Sequence, residues 1–186
     1  MKILEIITQS AALLGLEDVN SILTDITEEN EQEKLQNANL SSLYNLVKFS
    51  MQELCTNYIP VVTTKNIKTE DQKFPLSNLE NFIRVQKVTK SEDVVKCKII
   101  SRNITFEEDG EYVIEYLTYP AINSLFDEID FLSNLSPDAI IFGLCAYFSL
   151  AHGLFEEFKS FHEMYTDKAE SLKGLKTFVM PPRRWE

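Results

Sequence analysis

Glycine is scarce in this chain: five residues in 186, each standing apart from the others. A phosphate cradle needs clustered glycines so that backbone amides can converge. No P-loop, G-x-G-x-x-G or G-x-S-x-G occurs, so nucleotide chemistry and a nucleophile elbow have no support. Histidine is scarcer still. His152 and His162 are ten positions apart, whereas a helical zinc pair recurs at a spacing such as i, i+4; both read as structural or surface residues. Cys55, Cys97 and Cys145 are odd in number, have no C-x-x-C spacing and sit in apolar runs. They read as small core residues of a protein kept in a reducing compartment, not as a disulfide framework or a zinc site. The longest apolar run, Ala139 to Ala151, is shorter than the ~20 residues that span a bilayer. Residues 1–15 lack a continuous apolar h-region and a cleavage site, so no signal peptide is expected. The expectation is a soluble protein.

Basic residues are outnumbered, 18 against 29 acids, for a net charge of −11. Between Asn103 and Phe158 there are 11 acids and no Lys or Arg at all. Such a body repels phosphate backbones, which argues against nucleic-acid binding through its overall field. The last 16 residues run the other way, with Lys173, Lys176, Arg183 and Arg184 against Glu186 alone, so the remainder carries −14. A basic tail behind an acidic body can seat on an acidic neighbour or stay a frayed terminus. The acid pairs Glu107/Glu108, Asp127/Asp130 and Glu156/Glu157 read as a solvated acidic face, since adjacency in sequence does not place two carboxylates across a cleft. Glu128 and Asp130 have no EF-hand spacing. No catalytic residue, metal ligand or cofactor site is expected.

What the chain does have is ample core material: 44% hydrophobic residues, 11% aromatic and 25% charged, the composition of one compact domain. Ile3, Ile6, Ile7, Ala11 and Leu14 recur at helical spacing, with Gly15 at the C-cap position. Residues 17–33 hold seven acids and no base, as a solvated loop or the polar start of the next helix. Leu40, Leu43, Tyr44, Val47, Met51, Leu54, Cys55 and Tyr58 then predict a helix from about Leu40 to Tyr58, ended by Pro60. Beyond it the period changes. Val61–Lys68, Phe82–Thr89 and Val94–Ile100 read as strands, the last with Val95, Cys97 and Ile99 on one face. Asp109-Gly110 predicts a hairpin between Arg102–Glu107 and Glu111–Thr118, with Tyr112, Ile114 and Tyr116 on a shared face. Ile122, Leu125, Phe126 and Ile129 suggest a short turn or helix. Ser136, Pro137 and Asp138 open a helix as N-cap, N1 and first-turn acid. That helix, Ala139–Ala151, is apolar nearly all round. After Gly153 comes a second, with Leu154, Phe158, Phe161, Tyr165, Ala169 and Leu172 as its stripe, packed antiparallel on the first and closed by Gly174.

The fold expected is α+β: a mainly helical bundle (1–59 and 120–174) with a small antiparallel sheet inserted over about 60–119, and an extended C-terminal arm, 175–186, in a single domain. The arm ends Met180-Pro-Pro-Arg-Arg-Trp-Glu186. Trp and Arg dominate interface hot spots, and a stiff Pro-Pro stem lowers the ordering cost of docking. Partner docking is therefore favoured over folding back, through Phe178, Pro181, Pro182, Arg183, Arg184 and Trp185.

Nearly the whole chain resembles the head–tail connector, or neck adaptor, proteins of tailed bacteriophages. The resemblance rests on the early helix ending Ala-Leu-Leu-Gly15, and on the second helix running into Glu53-Leu-Cys-Thr-Asn-Tyr-Ile-Pro60. It continues through Val95-Lys-Cys-Lys-Ile and Asp-Gly-Glu-Tyr-Val-Ile-Glu-Tyr116. The helical hairpin Gly143-Leu-Cys-Ala-Tyr-Phe-Ser-Leu-Ala-His-Gly153, then Phe155-Glu-Glu-Phe158, Tyr165 and the Arg-Arg-Trp ending, complete it. The resemblance implies a structural virion protein and no enzyme: a homo-oligomeric ring, commonly of twelve copies, in the neck of a virion assembled in the host cytoplasm. Its partners would be the portal protein, engaged by the C-terminal arm, and tail or second connector proteins. DNA would only pass through an acidic lumen, and no membrane is involved. Two other readings stand beside it, a small cytoplasmic protein-binding module whose inserted sheet recruits another protein, and a hydrolase using Asp and Glu.

Overall fold

A computed structural model describes residues 1–129 and 137–173. Its architecture is α+β, with helices flanking an antiparallel β insertion. The described residues group into two compact units, one of Met1–Ser50 with the residues from Ser124 onward, the other of Met51–Asn123. The expected helix opener Ser136, the closing Gly174 and the whole arm 175–186 lie outside the described residues.

In the helical unit, α1 (Ile3–Leu13) buries Ile3, Ile6, Ile7 and Ala11, the stripe its spacing predicts. It ends as a Schellman motif. Gly15 takes φ +67°, its N–H donates to the Ala12 carbonyl and the Leu16 N–H to that of Ala11. The acidic stretch that follows is neither a loop nor the start of the long helix. It forms α2 (Glu17–Thr24), anchored by buried Val19 and Leu23, and the single turn α3 (Glu31–Lys34). Two apolar residues four apart suffice to hold α2 down while its acids face water. Next comes α4 (Ala38–Asn57), and the division between units falls within it. Its predicted stripe from Leu40 to Cys55 is buried, with Tyr58 half-buried just past the end.

The segment after the insertion makes a turn at Ser124–Phe126, not a helix, burying Ile122, Leu125 and Ile129. It also satisfies the start of α1: the Ile3 and Leu4 N–H groups donate to the carbonyls of Asp127 and Leu125, at 3.0 and 2.7 Å. Pro137 has helical dihedrals and leads into α5 (Asp138–Ala151), buried over most of its surface. Gly153, at φ +74°, separates it from α6 (Phe155–Lys173). The two are antiparallel, as the Lys168–Asp138 ion pair (3.3 Å) joins the end of one to the start of the other.

The second unit holds two antiparallel sheets, not one. Strands β1 (Val61–Lys68), β7 (Glu111–Thr118), β3 (Phe82–Lys90) and β4 (Asp93–Val94) make a four-stranded sheet in that order. Strands β2 (Lys73–Pro75), β6 (Asn103–Thr105) and β5 (Lys98–Ile100) make a three-stranded one. Ile67, Val88, Ile114 and Tyr116 share one core with Phe74, Ile104 and Phe106, and the Phe106 and Tyr112 rings stack at 4.2 Å. Tyr112, Ile114 and Tyr116 do share the inner face of β7.

Two strand expectations are overturned. The Asp109-Gly110 hairpin does not form, because β6 and β7 belong to different sheets. A type I′ turn needs positive φ at both centres, and Gly110 is not among the positive-φ residues. Instead the dipeptide ties the crossover to the end of β1: the Gln72 N–H donates to Asp109 Oδ1 (2.6 Å), and Thr69 N–H to the Gly110 carbonyl (2.9 Å). Positive φ is spent elsewhere, at Asp71-Gln72, Ser91-Glu92 and Ser101-Arg102. Nor is Val94–Ile100 one strand. Its two ends pair in different sheets, as β4 and β5, joined by the non-strand link Val95–Cys97, whose Val95 N–H still donates to the Val88 carbonyl at 2.9 Å. Val95 and Cys97 are half-buried, but Ile99, assigned to the same face, is exposed.

Candidate interaction surface

The expected site, Phe178, Pro181, Pro182, Arg183, Arg184 and Trp185, lies outside the described residues. What the described chain offers is a set of side chains that packing leaves in water. Alternation and helical spacing put apolar residues on a common face, but only contact with another element buries them. At the free end of the α5–α6 hairpin that contact is missing. Leu150 and Leu154 are exposed, and Phe155 is 68% exposed. Leu154 therefore departs from its expected place in the buried stripe of α6, where Tyr165 and Ala169 are the residues that do become buried. Glu156 and Glu157 follow in the first turn of α6, where the helix dipole favours acids.

A second exposed set lies along β4–β5. Val94 is 69% exposed, Ile99 54% and Ile100 53%. The run closes one edge of each sheet in turn. Lys96, Lys98 and Arg102 are exposed along the same stretch of chain, as are the acids Glu92, Asp93 and Glu107. A surface hollow of about 450 Å³ lies at the link between the two strands, lined by Lys96, Cys97, Lys98, Thr105, Phe106 and Glu107. Of this set the alternation in the sequence put only Ile99 on a face with Val95 and Cys97, opposite the lysines; the change of sheet at Val95–Cys97 parts Ile99 from those two half-buried residues.

Charge divides with the fold. Residues 1–50 and 124–186 carry 18 acids against nine bases, while residues 51–123 carry 11 against nine. The acidity therefore belongs mainly to the helical segments.

The remaining candidates have structural positions. His152 caps the end of α5 and stacks on Phe148 at 4.1 Å, and His162 stacks on Phe158 at 5.2 Å. Glu108 pairs with Lys90 at the surface, and Asp127 accepts from the Ser124 N–H at 3.0 Å. Asp130 lies outside the described residues. Among the described residues no group of three His, Cys, Asp or Glu is placed to hold a metal ion, and no helix is long and apolar enough to cross a membrane. Cys55 and Cys145 are buried, and burial pushes both thiols up to about 12, so neither is poised as a nucleophile. Sequence reasoning missed one buried charge. Glu31 of α3 is 5% exposed, and its carboxylate accepts from the Ser124 hydroxyl and the Leu125 N–H, both at 2.8 Å.

No protein-family model matches the chain, and no curated protein matches it.

Proposed function

We propose that this chain is a structural assembly protein of the head–tail connector type. It would form a ring between a phage portal and tail, with its C-terminal arm docking on the portal. The observation that carries the reading is the surface left unburied: Leu150, Leu154 and Phe155 at one place, Val94, Ile99 and Ile100 at another. Large aliphatic and aromatic side chains grouped in water mark contacts with other chains. The α+β plan, helices flanking a β insertion, accords with the resemblance. The excess of acids on the helical segments suits a lumen through which DNA slides without being gripped. Arg183, Arg184 and Trp185 would anchor the arm.

Deletion of residues 179–186 tests the reading. Portal binding is lost and the chain stays folded; normal binding by the truncated protein overturns the arm's role. Native mass measurement then reads the copy number, and a chain that is monomeric alone and with a portal overturns the ring. One observation favours the second reading, a small cytoplasmic binding module. The β4–β5 run, at an edge of each sheet and with exposed Val94, Ile99 and Ile100, is the kind of strand edge onto which another protein's strand can pair. A lone module would capture such a partner without assembling with itself.

A further inference from the structure

We draw no further inference here: the strongest candidate, the exposed apolar patch at the tip of the α5–α6 hairpin formed by Leu150, Leu154 and Phe155, is an unpartnered face, and nothing among the described residues shows what covers it.

Discussion

Glu31 and Ser124, 93 residues apart in sequence, are joined by a 2.8 Å hydrogen bond from the serine hydroxyl to the buried carboxylate. The same carboxylate takes the Leu125 N–H, so one side chain on a single helical turn holds the strand-to-helix return of the chain. That return in turn supplies carbonyls to the first N–H groups of α1. Removing the acceptor leaves the buried Leu125 amide without its partner and takes from the half-buried Ser124 hydroxyl the group it donates to.

Glu31→Ala is therefore expected to cost about 2–3 kcal/mol of stability, the range for losing hydrogen bonds to a buried charged group. Glu31→Gln, which keeps one acceptor oxygen, should cost less. Urea unfolding followed by circular dichroism measures both. An alanine variant with an unchanged midpoint would show that the turn at 124–126 holds without the carboxylate.

Gly143 and Tyr165 make a second testable pair. A Cβ at residue 143 would come within 3.1 Å of two atoms of the Tyr165 ring. That ring is buried and flanked by Tyr147 and His162, with centroids at 6.3 and 6.1 Å, so it has little room to give. Alanine gains roughly 1 kcal/mol over glycine in a helix, while overpacking costs about 1–3. Gly143→Ala should destabilise on balance, and the same change in a Tyr165→Leu background should stabilise. A double-mutant cycle in thermal unfolding reads the change of sign.

The buried thiols give a pH dependence. Burial raises Cys55 and Cys145 from an ordinary 9.0 to about 12, so the folded chain keeps protons that the unfolded chain loses first. Stability from these two groups is present below about pH 9 and falls as pH rises toward 12. A disulfide exchange reagent at pH 8 should modify half-buried Cys97 first, and the other two only on unfolding. Replacing Cys55 and Cys145 by Ala should flatten the alkaline limb of the stability curve; an unchanged slope would assign it to other groups.

Helices were legible in the sequence because their burial pattern is local. The stripe of α4, the Gly15 terminus of α1 and the apolar girth of α5 each need only a period of 3.6 and a place to pack. Strand pairing is not local, and there the reading went astray. Asp109-Gly110 carries the strongest short-range hairpin signal in the chain, yet its flanking strands pair in different sheets. The true two-residue connections use Ser91-Glu92 and Ser101-Arg102, residue types that do not announce a left-handed turn. Helix α2 went unseen because only Val19 and Leu23 mark its buried side amid acids.

Composition and periodicity were enough to establish an α+β chain with an acidic surface, because propensity and charge are properties of residues one at a time. Which apolar residues end in the core and which in water was settled by packing. Leu154 carries the same pattern as Tyr165, and Ile99 the same as Cys97. Each lies where its unit runs out of neighbours to cover it, and a hydrophobic side chain is buried only by what the rest of the fold brings against it.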